Sequence, residues 1–213
     1  MAIQKKKFVE IYIPLLRENY TSLGTPESLN GKTIKLDLTR RLRGKGLEII
    51  FHIKEQGKEL VAIPKSLILT GSYIRRIMRP SISYVEDSFQ VETKDNIIVS
   101  AKPFFITRKK VSRAVRAHLR SEAKKIITDL IKEKSYLDLT EEIYMGIFQK
   151  TLLPKMKKIY PLAFCDLRIF ETKEINKIKV EISKKPEEKK VTEEIDQVKE
   201  LEEEEKSEKN KEE

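Results

Sequence analysis

The chain has 213 residues and a formal net charge of +10, with 37% charged residues, 39% apolar ones, no tryptophan and one cysteine. That length suits one generous domain or two small ones plus a tail. The lack of any apolar run of about 18 residues excludes a membrane-spanning helix, and a lone cysteine excludes a disulfide framework, a thiolate zinc cage and an iron–sulfur site, which suits a reducing, cytoplasmic setting. The charge is uneven. Residues 187–213 hold 6 Lys against 13 acidic residues, net −7, leaving residues 1–186 with 38 Lys and Arg against 21 Asp and Glu, net +17. A body this basic needs a polyanionic partner, whereas the Glu-rich tail has too little apolar bulk to offset its ordering entropy and reads as disordered.

Lys5, Lys6 and Lys7 open a short basic arm, too polar for a signal peptide. Val9, Ile11 and Ile13 share a parity that predicts a strand ended by Pro14, and Asn19–Asn30, rich in Gly, Pro and Asn, reads as a loop. Clean alternation predicts a strand over 32–38, and a hairpin joins strands at 47–54 and 58–63 across Glu55-Gln56-Gly57, with Pro64 as punctuation. A helix is expected from Ser72 to Met78, closed by Pro80. Two β-branched and aromatic segments, 81–93 and 96–107, make a second hairpin around Lys94-Asp95-Asn96.

Residues 109–134 carry the strongest helical signal: Val111, Val115, Leu119, Ile126 and Leu130 fall within about 100° on a helical wheel. Another helix is expected to begin at Thr140 and run through Phe148, a short one follows Pro154, and a final strand covers 162–171. These elements predict an α+β fold. It has a mostly antiparallel β core (barrel-like or sandwich), one long basic helix and several short helices. The domain plan is a basic arm at 1–8, a single α+β RNA-binding domain at 9–180 and a charged tail at 181–213.

The cations fall into constellations. Lys109, Arg113, Arg116, Arg120 and Lys124 lie within roughly 80° of one another on the long helix, opposite its apolar stripe, and only Glu122 interrupts them with the opposite sign. Arginine takes phosphate oxygens in pairs, as lysine cannot. Arg40, Arg41, Arg43 and Lys45 crowd a turn whose Gly44 and Gly46 allow close backbone approach to a phosphate. Arg75, Arg76 and Arg79 decorate the short helix, and Arg108 and Lys110 extend the long one. Several separate patches suit a partner that wraps around the protein. Tyr84, Phe89, Phe104 and Phe105 are the aromatics available for base stacking, though sheet core is the plainer role for them.

Enzyme chemistry finds little support. His52 and His118 sit in no recognisable triad, no phosphate-binding loop occurs, and Cys165 reads as a small apolar filler. The adjacent pairs Glu86-Asp87 and Glu141-Glu142 diverge on any regular element, a poor arrangement for acid/base work. No catalytic, metal or cofactor-binding residue is expected. An anionic-membrane binder would need exposed apolar bulk on an amphipathic helix, which the flanking strands are able to cover here.

The order and spacing of certain blocks resemble one family. They are the stretch from Arg75 to Lys110, the arginine-rich helix, and Lys157-Lys158-Ile159-Tyr160-Pro161-Leu162 near the end. The family is the archaeal and eukaryotic small-subunit ribosomal protein "S-three-a", also called "S-one-e". The resemblance covers about Lys5 to Lys173, and the brief N-terminus looks archaeal. It implies a structural constituent of the small ribosomal subunit, in the cytoplasm, without catalytic activity. It also implies binding to small-subunit ribosomal RNA on the platform side, beside other ribosomal proteins and near the messenger RNA exit. The alternative is an RNA-binding or RNA-remodelling protein outside the ribosome.

Overall fold

A computed structural model describes residues 7–56, 59–175 and 178. Lys5, Lys6, Gly57, Lys58 and the tail at 181–213 lie outside the described residues. The sheet is open and mixed, with β1 (Lys7–Ile13), β2 (Glu18–Gly24), β3 (Thr33–Asp37), β4 (Leu47–Gln56), β5 (Glu59–Leu69), β6 (Tyr84–Glu86), β7 (Phe89–Glu92), β8 (Ile98–Thr107) and β9 (Leu162–Thr172). The main path is β2-β1-β5-β9-β8-β6, with β4 and then β3 on β5 and β7 beside β6 on β8. Pairing is antiparallel except between β1 and β5, which run parallel at Ile11–Leu60 and Tyr12–Val61. This is the expected α+β architecture with a mostly antiparallel core, and its sheet does not close into a barrel.

Two prolines lie inside central strands, each at an irregularity. Pro64 does not end β5: Phe51 faces Pro64 and Ile50 faces Ser66, so Lys65 is bulged out and the missing proline N–H falls where the ladder is already interrupted. Pro103 in β8 sits opposite Leu167, with Arg168 bulged out of β9. On the other edge, Pro103 leaves a gap in the ladder. The strand expected over 81–93 is therefore two, β6 and β7, broken at Asp87-Ser88, where the Asp87 amide donates to the Pro103 carbonyl at 3.4 Å.

The segment expected as a loop at 19–30 holds β2 and the one-turn helix α1 (Pro26–Leu29). β2 is an edge strand, mostly exposed on both faces, so no apolar alternation marks it in the sequence. Helix α2 (Gly71–Ile77) matches the expectation, and α3 (Arg113–Lys132) starts four residues late because Ser112 caps it, accepting from the Val115 amide. α4 (Tyr136–Met145) begins before Thr140, at the Ser135 cap. Gly146, at φ +78°, separates it from α5 (Ile147–Lys157), and α5 continues through Pro154 where a break was expected.

Helix α3 packs on β6 and β7, α5 on β9 and on both neighbouring helices, and α4 on β5. Phe51, Phe104, Phe105, Tyr136, Phe148 and Phe170 are fully buried. Tyr136 stacks on Phe170 at 5.8 Å, and its hydroxyl donates to the carbonyls of Pro64 at 3.0 Å and Lys65 at 3.3 Å. The bulge carbonyls that β4 leaves over thus find their partner on α4.

Candidate nucleic-acid interface

The basic turn between β3 and β4 is built by its own backbone. The Leu42 amide donates to Leu38 at 3.0 Å and the Gly44 amide to Thr39 at 3.0 Å, with Arg43 at φ 52° and Gly44 at φ 90°. Asp37 opens it, accepting from the Thr39 amide at 2.8 Å. The Thr39 hydroxyl and amide, helped by Lys35 and Arg40, hold the Asp37 carboxyl below the usual carboxylate range. Of the four cations, Arg40 and Arg43 are exposed without an ion pair among the described residues. Arg41 bonds to Glu18 on β2, an interaction that raises its already high pKa. Lys45 reaches inward to Asp166, Nζ to Oδ2 2.7 Å. Gly46 is required by packing, since a Cβ there would lie 2.1 Å from Thr70 Oγ1.

Asp166 is 3% exposed on β9. Its second oxygen accepts from Gln149 on α5 at 2.6 Å and from the Leu167 amide at 2.8 Å. A buried carboxylate demands a cation, so an aspartate inside the apolar run Phe164–Leu167 was a readable sign that one of the basic residues would turn inward.

On α2, Arg76 donates to the Gly44 carbonyl at 3.3 Å and lies 5.6 Å from the centroid of Tyr73. Arg75 and Arg79 are exposed and without ion pairs among the described residues. After Arg79 a turn leads to Ser83, which joins two basic segments. Its carbonyl accepts from the Thr107 amide and hydroxyl, both at 2.9 Å, and its hydroxyl accepts from the Val111 amide at 3.1 Å. Between Thr107 and Val111 stand Arg108, Lys109 and Lys110, all exposed and without ion pairs among the described residues. The four segments expected as separate patches are therefore connected: the turn to α2 through Arg76, α2 to the 108–110 run through Ser83, and that run to α3.

The buried face of α3 runs through Leu119, Ala123, Ile127, Leu130 and Ile131. It is rotated from the expected stripe by roughly 70° toward the basic arc. The arc therefore does not lie opposite the packed face. Arg113 is exposed, Arg116 is half-buried with its Nε unpartnered among the described residues, and Arg120 donates from Nε to the Glu86 carbonyl at 3.1 Å. Lys124 lies 6.0 Å from the Phe89 ring centroid. Lys7 begins β1 as an exposed residue.

Two of the four carboxylates considered for catalysis are engaged in the frame: Glu86 takes Arg168 at 2.9 Å and Glu142 takes Lys134 at 2.5 Å. A cleft of about 470 Å³ at the Pro103 irregularity is lined by Glu86, Asp87, Lys102 and Arg168 among others. There the Glu86–Arg168 pair and the contact of Lys102 with Glu171 at 3.3 Å leave no isolated charge of either sign on those pairs. Burial pushes the Cys165 thiol well above its ordinary value, the opposite of an activated nucleophile. Burial, then Lys65 and Lys54, lowers His52. Among the described residues no three His, Cys, Asp or Glu side chains gather as a metal site, and no helix is long and apolar enough to cross a membrane.

Seven carboxylates are held in ion pairs among the described residues, while Arg40, Arg43, Arg75, Arg79, Arg108, Lys109 and Lys110 stay exposed without one, which defines a strongly basic α+β protein. The chain belongs to the ribosomal S3Ae family, whose model matches residues 2–186. It is similar to the small ribosomal subunit protein eS1 of Nanoarchaeum equitans, 27% identical over 149 residues, which cover 68% of this chain and 75% of that protein. The proteins of the same name from Saccharolobus islandicus and Saccharolobus solfataricus are 27% and 26% identical over 132 residues. Those matches cover 62% of this chain and 64% of the relatives, slightly under two thirds of their length. Family membership makes this a ribosomal protein, a structural component and not an enzyme.

Proposed function

We propose that the protein is a structural constituent of the small ribosomal subunit that holds folded ribosomal RNA through the connected basic stretch, beside neighbouring ribosomal proteins. The platform side near the messenger RNA exit is the place the family resemblance implies. One observation supports the RNA contact: Arg108, Lys109, Lys110 and Arg113 stand exposed and without an ion pair among the described residues just before and at the start of α3, on backbone pinned by Ser83. Helix N-termini attract phosphates through their free amides and dipole, and cations beside one strengthen the site. Arg40, Arg43, Arg75 and Arg79 extend the same surface, while Arg41, Lys45 and Arg76 hold the turn that presents it. Arg116, Arg120 and Lys124 support the α3 end of the surface, and Lys5, Lys6 and Lys7 add a basic approach at the N-terminus.

The test is a variant with Lys109, Lys110 and Arg113 changed to Glu, all exposed, so that folding is preserved by circular dichroism. It is expected to lose cosedimentation with small subunits while wild-type protein cosediments and is stripped by high salt. Normal incorporation of the variant would refute the assignment of these cations. Turnover in cleaving or unwinding RNA would instead favour a remodelling protein.

A further inference from the structure

Of the four aromatics that the sequence offers for stacking, Phe104 and Phe105 are 0% exposed and Phe89 is 8% exposed, whereas Tyr84 stands 52% exposed. Alternation along β6 explains the difference: Val85, at 0% exposure, faces the core, which turns Tyr84 and Glu86 to the other side. The Tyr84 ring has no aromatic partner and its hydroxyl no hydrogen bond among the described residues. The bonds made by its neighbours on either side lead to cations. Ser83, on one side, is tied to Thr107 and Val111, between which Arg108, Lys109 and Lys110 protrude. Glu86, on the other, accepts Arg120 Nε on its carbonyl at 3.1 Å and Arg168 on its carboxylate at 2.9 Å.

We propose that Tyr84 is a stacking platform for an unpaired RNA base, whose strand lays its phosphates along Arg108, Lys109, Lys110 and Arg113. An open aromatic face flanked by cations is what a single strand requires, because every base has a π-face while its phosphates need charge. The Ser83 bonds fix the backbone on which the ring is carried, so little ordering is required on binding. This inference rests on the RNA-binding reading above and adds to it a contact with a base. The competing role is structural: Tyr84 pairs across the ladder with Ile106, which is 1% exposed, and covers it in part.

The chain contains no tryptophan, so Tyr84→Trp places one fluorophore at the site. In full-length protein its emission is expected to be quenched by a short oligouridylate and left unchanged by an abasic oligomer with the same number of phosphates. Tyr84→Leu, which keeps the apolar cover over Ile106 but has no π-face, is expected to weaken oligouridylate binding by about 5- to 100-fold. The slope of affinity against salt should stay unchanged, since no phosphate contact is lost. Tyr84→Phe is expected to bind as wild type does. Equal quenching by the abasic strand, or wild-type affinity in Tyr84→Leu, would overturn the stacking role. If that happens while folded RNA still depends on Lys109, Lys110 and Arg113, only this inference falls. Failure of the wild-type protein to bind either RNA would overturn both.

Discussion

Asp166 lies 3% exposed between Lys45 at 2.7 Å and Gln149 at 2.6 Å, so its charge is balanced from a turn and its hydrogen bonding completed from a helix far away in sequence. Lys45→Met would strand that carboxylate, and a loss of about 3–5 kcal/mol is expected in urea unfolding; a smaller change would mean that water reaches Asp166. Gly46→Ala sets a Cβ 2.8 Å from Tyr73 Cβ and closer still to Thr70 Oγ1, with an expected cost of about 1–3 kcal/mol from forced repacking of α2 against the turn. Close packing, not phosphate approach, is what excludes a side chain there. His52 gives a pH dependence. Its pKa is lowered from the ordinary 6.5, chiefly by burial. The unfolded chain therefore takes up the proton first, and the stability due to the neutral ring is complete above 6.5 and lost as pH falls through the folded value. The urea midpoint should drop between pH 7.5 and 5, and His52→Gln should flatten that part of the drop.

At the scale of elements, the starts of α3 and α4 follow side-chain caps more closely than apolar periodicity. Ser135 accepts from the Asp138 amide at 3.3 Å and its hydroxyl donates to the Asp138 carboxylate at 2.7 Å, starting α4 four residues ahead of Thr140. Ser135→Ala is expected to cost about 1 kcal/mol in thermal or urea unfolding, with RNA affinity unchanged because the cap makes no contact with the basic stretch. In α3 the rotated packing face brings Arg116 and Arg120 beside the body, while Arg113 and the preceding run stay in water. Charge reversal at Arg113 therefore tests RNA contact, whereas reversal at Arg116 or Arg120 also disturbs the seat of the helix on β6. Exposed Phe8 and Leu23 face each other across β1 and β2, and Met145 and Ile147 flank Gly146; these apolar spots lie outside the cationic stretch.

For the whole molecule, the proposed RNA contact predicts that the excess of cations over residues 1–186 sets the strength and the salt response of binding. If the connected stretch neutralises roughly 6–10 phosphates, affinity should fall by about 10³–10⁵ between 50 and 200 mM salt, and a flat response in filter binding would speak against a phosphate-led interface. The charge excess, the α+β class, the β4–β5 hairpin, α2, α3 and β9 were legible in the sequence because each shows its own local period or composition. The family resemblance was legible from the order of its blocks. What the chain could not announce locally was decided by partners distant in sequence. Edge strand β2 has water on both faces and so carries no pattern. Pro64 and Pro103 pass through strands only because the ladder is interrupted beside them, by a bulge at Lys65 in Pro64's own strand and at Arg168 in the strand next to Pro103. The role of each cation follows the same rule. Arg40 and Lys45 share one turn, and only the fold brings a buried carboxylate from β9 to the second while leaving the first in solvent. Apolar spacing is written within a segment, whereas charge pairing and burial belong to contacts that exist only once the segments have met.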